Sequence, residues 1–470
     1  METKIYAQAS VKSLLSTSIF SSRDITDSNI KDFTPNKKSI KKAIQKLESL
    51  GFEVFANNGI TISIAGSKEL FEKVFDTTLT NKVKDINSGG ETEKVSYWDT
   101  PDNLPVGFLE TAQSPLADVI EGIAISEPPI HFENAFAPTK SYWHLRVPGD
   151  VSLGINADKA HRKGFTGKGV RVVMVDTGWY EHPYFKNRGY NYMPTVLGPG
   201  ASLPLQDQVG HGTAESANIF AVAPDVMFRM VKQGNDAVGD FNTAVNLVPR
   251  PHIISCSWGY DIPNGPLSPF LQTLAAAVAN AVNLGIVVIF SAGNGHVGFP
   301  GQHPSVISAG GVFMHPDGVT LEASNYSSGF LSTIYPGRRV PDVCGLVGMK
   351  PKAAYIMLPL QANDVIDNSQ AAGGAFPNSD ETAANDGWAS ISGTSAAAPQ
   401  IAGVCAILKQ RKMALTPANI KTLLQNTAID VKIGTCNATA LGPGNPATVG
   451  PDKATGFGLT NADAALSAVV

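Results

Sequence analysis

Cysteine is scarce in this 470-residue chain. Its four residues, Cys256, Cys344, Cys405 and Cys436, include no pair spaced for redox or metal chemistry, which excludes a disulfide-stapled scaffold and leaves buried thiols. Long apolar runs are missing as well. No stretch approaches the roughly 20 residues of a membrane span, and the short run 286–290 suits a buried strand, so no membrane role is expected. An excess of positive charge is also absent: a formal charge of −4 and a pI near 6.1 give no reason to expect nucleic acid or an anionic membrane as partner. The first residues lack a basic segment followed by an apolar stretch, so no secretion signal is expected and the reading is of a cytoplasmic protein.

What is present is a globular composition, 43% hydrophobic and 16% charged, in a chain long enough for more than one domain. Over 37–50, Ile40, Ala43, Ile44, Leu47 and Leu50 recur at helical spacing with lysines opposite and Gly51 as a stop. Short β-prone runs at 52–56 and 60–64 flank Asn57-Asn58-Gly59, a hairpin signal, and Ser67 caps a second helix to 75. With a first strand at 4–9, the order predicts a small α+β domain of split βαβ type over residues 1–81. The lysines of 37–46 read as a solvated helix face. Residues 82–149, rich in Gly, Asn, Asp, Pro and Ser, read as a connector with a possible processing site.

From residue 150 to 470 the pattern changes. Apolar runs at 169–175, 226–231, 253–257 and 286–291 suit strands covered on both faces, and helical segments at 213–220, 241–247 and 267–284 lie between them. This alternation predicts an α/β domain with a doubly wound, mostly parallel sheet, whose ligands bind beyond the carboxyl ends of the strands. Asp176, Ser257-Trp258-Gly259 and Ala292-Gly293-Asn294 all fall at such ends.

The candidate chemistry converges there. Ser395 follows Gly393 and opens an apolar helix whose free N–H groups favour an oxyanion, with Pro399 expected to be tolerated in the first turn. His211, in His-Gly-Thr, can take a serine proton and return it to a leaving amine. Asp176 can fix the imidazole tautomer, and Asn294 can donate its amide to the oxyanion beside the Ser395 N–H. Each has a plain alternative as a cap or turn residue. Their joint occurrence, in the order Asp, His, Asn, Ser and each at an element boundary, singles them out.

That order, with 299–312, Pro341-Asp342-Val343 and 456–463, resembles the subtilisin-like serine proteases over nearly all of 150–470. The resemblance implies a serine endopeptidase with catalytic Asp176, His211 and Ser395 and oxyanion donor Asn294. It also implies that Ser255, Ser257, Trp258 and Gly259 form an edge for an extended polypeptide, with Ala292 and Gly293 the opposite wall. Residues 47–54 and the following hairpin resemble the activation domains of kumamolisin-like sedolisins. By that likeness the amino-terminal part is a ferredoxin-like propeptide that assists folding and inhibits the site until the connector is cut. Sedolisins use Glu and Asp with the serine, whereas His211 and Asn294 favour subtilisin chemistry.

Two positions depart from the family pattern: Ala214-Glu215-Ser216 where an apolar pair is usual, and Trp258 where Leu is frequent. No cofactor is required for the chemistry. Asp364, Asp367, Asp380 and Asp386 are candidates for structural Ca²⁺, with a solvated loop as the plainer reading. Alternatives of other classes are a non-proteolytic binding protein on the same scaffold, or an esterase or peptide ligase using the same acyl-enzyme.

Overall fold

The computed structural model describes residues 4–21, 30–57, 59–88, 91–102, 104–126, 137–138 and 142–470. The chain divides into two compact units, residues 1–134 and 135–470. No helix among the described residues is long and apolar enough to cross a membrane.

In the first unit, Ile5–Val11, Lys37–Ser49, Glu53–Asn57, Thr61–Gly66, Lys68–Phe75 and Ile120–Ile125 run strand, helix, strand, strand, helix, strand. The sheet order is 53–57, 61–66, 5–11, 120–125, 108–110, antiparallel at every pairing. Asn36 and Ser67 cap the two helices, accepting from the Ser39 and Leu70 N–H groups at 2.7 and 3.3 Å. Ile5, Leu47, Phe52, Ile62, Ile64 and Phe71 fill the core between helices and sheet. Asn58 of the expected hairpin lies outside the described residues, although the strands on either side of it pair as expected.

The expected connector at 82–149 is corrected here. Thr80–Ser88 and Glu91–Asp99 form a hairpin, and Phe108–Glu110 and Ile120–Ile125 belong to the main sheet, so this unit extends far past residue 81. Gly122 shows why the pattern misled. A Cβ there would lie 2.6 Å from the Phe108 ring, so a glycine that reads as a loop signal is room for a cross-strand aromatic.

The second unit is built on eight strands in the order 192–197, 227–232, 171–176, 253–256, 287–291, 307–314, 321–323, with 343–346 also pairing 307–314. All these pairings are parallel except that of 321–323. Met174, Val175, Ile253, Ile254, Val287 and Ile289 are fully buried, as strands covered on both faces require. Strand 171–176 lies between one the chain reaches later on one side and another reached later still on the opposite side. The order reverses about it, which opens a crevice at its carboxyl end, where Asp176 sits.

Two helices set the level of the site. His211–Val222 and the long Thr394–Arg411 pack together: Gln400 Nε2 donates to Asn218 Oδ1 at 3.2 Å, and a Cβ on Gly403 would lie 2.6 Å from Val222. The paired numbers rise together, so the helices run parallel. Stepping back five residues from Gln400 and from Asn218 puts Ser395 level with Thr213, and His211 about 3 Å further toward the same end. The two helices thus bring both residues to one end of the sheet.

Candidate active site

Asp176 ends its strand and is 1% exposed. Its Oδ1 meets His211 Nδ1 at 2.7 Å and accepts from the Thr177 N–H at 2.8 Å, while Oδ2 has no partner. His211 is the first residue of its helix, and Asp207 secures that start. Asp207 Oδ1 accepts from Gly210 N–H and Thr177 Oγ at 3.0 and 2.9 Å, and its Oδ2 accepts from Thr213 N–H and Oγ, both at 2.8 Å. Gly210, at φ 90°, makes the turn into the helix. Burial works to lower the His211 pKa, but the Asp176 carboxylate, with the charges of Glu215 and Asp207, outweighs it and holds the imidazole at about 9.

Gly393, at φ 102°, admits the chain to the second helix, so Ser395 lies in the first turn, where N–H groups have no intrahelical partners. Pro399 is not in that first turn, as had been expected. It lies within the helix, where a residue with an N–H would donate to the carbonyl of Ser395. Ser257 Oγ takes up that carbonyl at 2.8 Å, and Ser395 Oγ donates in return to Ser257 O at 3.3 Å.

Asn294 is oriented by chemistry alone. The Thr394 N–H can only donate, so the atom 3.0 Å from it is Oδ1; Thr394 Oγ donates to the same oxygen at 2.9 Å and accepts from the Gly293 N–H at 3.2 Å. The Nδ2 donor is left beside Gly393, where a Cβ would lie 3.1 Å from it.

A cleft of about 220 Å³ is lined by Ser257, Trp258, Gly259, Gly293, Asn294 and Ser395, together with Tyr260, Asp261 and His296, which sequence reasoning missed. Two expected wall residues do not take part. Ser255 is buried, its strand paired with 171–176 on one side and 287–291 on the other, so it belongs to no edge; Ala292 is likewise buried. Only from Ser257 does the chain leave the ladder. Trp258 donates from Nε1 to Val175 O at 2.9 Å and stands edge-on to Phe290 at 5.2 Å, so its indole ties the cleft to the carboxyl end of strand 171–176. Thr394 and Asp207 also escaped notice. An Asp shortly before a Gly-initiated helix is a capping signal, and Thr394 sits inside the Gly-Thr-Ser segment itself.

The aspartates proposed for calcium accept from backbone N–H groups, Asp364 as a helix cap, while Asp364 Oδ2 and Asp367 Oδ1 are buried without a partner. Asp364 accepts from Asp367 N–H and Asp367 from Asn363 N–H, both at 2.8 Å; Asp380 accepts from Thr382 N–H at 3.0 Å and Ser390 N–H at 2.8 Å, and Asp386 from Trp388 N–H at 2.9 Å. Among the described residues, no group of three or more His, Cys, Asp or Glu side chains is placed to hold a metal ion.

A carboxylate-backed imidazole, a serine at a helix start on the same side of the sheet and a fixed amide donor are the equipment of a hydrolase that works through an activated serine. Residues 167–458 match the subtilase family, and the chain belongs to it: it is a subtilisin-like serine endopeptidase. Members act on polypeptides, need no cofactor for catalysis and commonly carry structural calcium. The chain is 28% identical over 315 residues to alkaline elastase YaB of Bacillus sp. (strain YaB), covering 63% of this chain and 68% of that protein. It is 26% identical over 337 residues to subtilisin Savinase of Lederbergia lenta, covering 68% and 98%, and 26% identical over 305 residues to subtilisin E of Bacillus subtilis (strain 168), covering 60% and 66%.

Proposed function

We propose that Ser395 is the nucleophile, His211 its general base and Asp176 the residue that orients the imidazole. Ser395 Oγ attacks the scissile carbonyl while His211 Nε2 takes its proton; Asp176 on Nδ1 fixes the tautomer and stabilises the imidazolium. The oxyanion is held by Asn294 Nδ2 and the Ser395 N–H. The proton passes to the leaving amine, the acyl group stays on Ser395, and water activated by the same imidazole releases it. The substrate lies extended along 257–259, the segment free of the sheet ladder. The observation that carries this reading is the 2.7 Å bond between Asp176 and His211, set beside a helix that starts with Thr394 and Ser395.

The first unit is the propeptide of this enzyme: a ferredoxin-like domain that assists folding and blocks the cleft until the chain is cut. Its strand, helix, strand, strand, helix, strand order supports this role. A fluorophosphonate probe tests the chemistry: it should label the wild type at Ser395 and spare Ser395→Ala and His211→Ala, and equal labelling of His211→Ala removes His211 as the base. Amino-terminal sequencing of purified wild type against Ser395→Ala tests the propeptide. An identical, uncut start in both proteins removes self-processing.

A further inference from the structure

Glu215 is the one charged residue on the buried helix His211–Val222 beyond the histidine itself, and it is wholly enclosed. It stands one turn after His211, on the same helix face. An enclosed carboxyl is costly unless it is neutral or answered. Its Oε2 accepts from Asn218 Nδ2 at 2.9 Å, Asn218 Oδ1 accepts from Gln400 Nε2 at 3.2 Å, and Gln400 Oε1 accepts from the Leu346 N–H at 2.7 Å. This chain joins the helix of the base to the helix of the nucleophile. One oxygen in it is unanswered: Glu215 Oε1.

Asp176 Oδ2 has the complementary lack, an acceptor buried without a donor. Asp176 lies against the first turn of the same helix, since a Cβ on Gly212 would come within 3.1 Å of the Asp176 Cβ. Asn218 Nδ2 can only donate, so Oε2 is the accepting oxygen of Glu215 and Oε1 is the oxygen left to carry a proton.

We propose that Glu215 is a positioning residue of the triad: protonated, it supplies Asp176 Oδ2 with the missing hydrogen bond, directly or through one water molecule, and ionised, it holds His211 as an imidazolium that cannot take the serine proton. The inference rests on the roles assigned to Asp176 and His211 above. The charges that act on this carboxyl are those of His211 on its own helix and Asp176 on the strand; Asp207, in the preceding loop with both oxygens occupied, acts on His211, and the Cys256 thiol on the neighbouring strand is pushed well up by burial and then by Asp176. Burial, aided by the Asp176 charge and opposed by His211, pushes Glu215 up to about 8.

The test is the pH dependence of peptide hydrolysis by the full chain as wild type, Glu215→Gln and Glu215→Leu. Both variants remove the ionisable group, so the acid limb of kcat/KM should move to lower pH by about half a unit or more. Gln keeps an acceptor for Asn218 and a donor for Asp176, so its plateau kcat should stay within a few-fold of wild type; Leu keeps neither and should lose tenfold or more. The folded carboxyl holds a proton that the unfolded chain releases above its ordinary range, so wild type should lose stability relative to Gln as the pH rises from 5 to 8. An active wild type whose acid limb coincides with that of both variants overturns the proposal, and equal kcat for Gln and Leu overturns its hydrogen-bonded part. Failure of the triad assignment shows differently, as a wild type that the fluorophosphonate does not label at Ser395.

Discussion

Each unit has a carboxylate shared by two cations, and the two are set in opposite surroundings. In the first, Lys42 and Lys46 share Asp118 at 2.8 and 2.5 Å, with the carboxylate 44% exposed. In the second, Asp342 is 3% exposed and takes Arg338 on both oxygens at 2.5 and 2.7 Å, with Lys421 at 3.0 Å and the Ser308 N–H at 2.8 Å. The first cluster joins a helix to a surface turn, so its groups stay in water, whereas Asp342 lies between strands 339–340 and 343–346, at the start of a strand paired in parallel with 307–314 and covered by protein. A pair in water is lost at little cost, while breaking an enclosed one strands a charge. The enclosed cluster lies within the part of the chain that matches the subtilase family.

The contrast breaks first, if it breaks, at Asp176. Asp176→Asn keeps the shape but lets Nδ1 face an N–H, and kcat should fall about 10⁴-fold with an unchanged near-ultraviolet dichroism spectrum; a loss under tenfold ends the idea that an enclosed carboxylate commits the site. Next is Asp342→Ala, which leaves Arg338 buried without its partner and should cost about 3–5 kcal/mol in a denaturant titration. Burial pushes Asp342 upward, but Arg338, by hydrogen bond and charge, more than reverses this and depresses the folded pKa. Its stabilisation is therefore present above the ordinary carboxylate range and fades as the pH falls below about 4, which a pH series of denaturation midpoints reads directly.

Asn294→Leu comes third. It removes the proposed oxyanion donor and should lower kcat by about 10²–10³, a loss already known for such a donor in subtilisin, with KM little changed. A change in KM alone would make Asn294 a binding residue. Smallest is Asp118→Asn, whose loss from an exposed pair should leave the denaturation midpoint within measurement scatter. A shift matching that of Asp342→Ala would erase the difference between the units.

Much of this was legible in the residues. The β-branched runs announced the parallel strands, because a strand buried on both faces has little room for polar side chains, and Asp176, His211, Asn294 and Ser395 stood out because each falls at an element boundary and the four come in one chain order. Pairing partners were not legible. Ile120–Ile125 lies far along the chain from Ile5–Val11, its partner in the sheet, and a glycine in its middle disguised it. Ser255 and Ala292 looked like wall residues because they neighbour Ser257 and Gly293, but the pleat and the second flanking strand turned them inward. The aspartates of 364–386 read as candidate calcium ligands because a one-dimensional list of carboxylates does not reveal which backbone N–H groups they already serve.

Pro399 has a reach beyond its own helix. By withholding an N–H it frees the carbonyl of Ser395, the proposed nucleophile, and Ser257, at the head of the segment proposed to hold the substrate, fills the gap while lending its own carbonyl to the serine hydroxyl. On the proposed roles, grip and attack would be coupled like two ends of a short lever, because Ser257 and Ser395 are joined by two hydrogen bonds. Substitutions along 257–259 should therefore register in turnover as well as in binding, and a good substrate is one that draws the serine hydroxyl off its resting carbonyl as it docks.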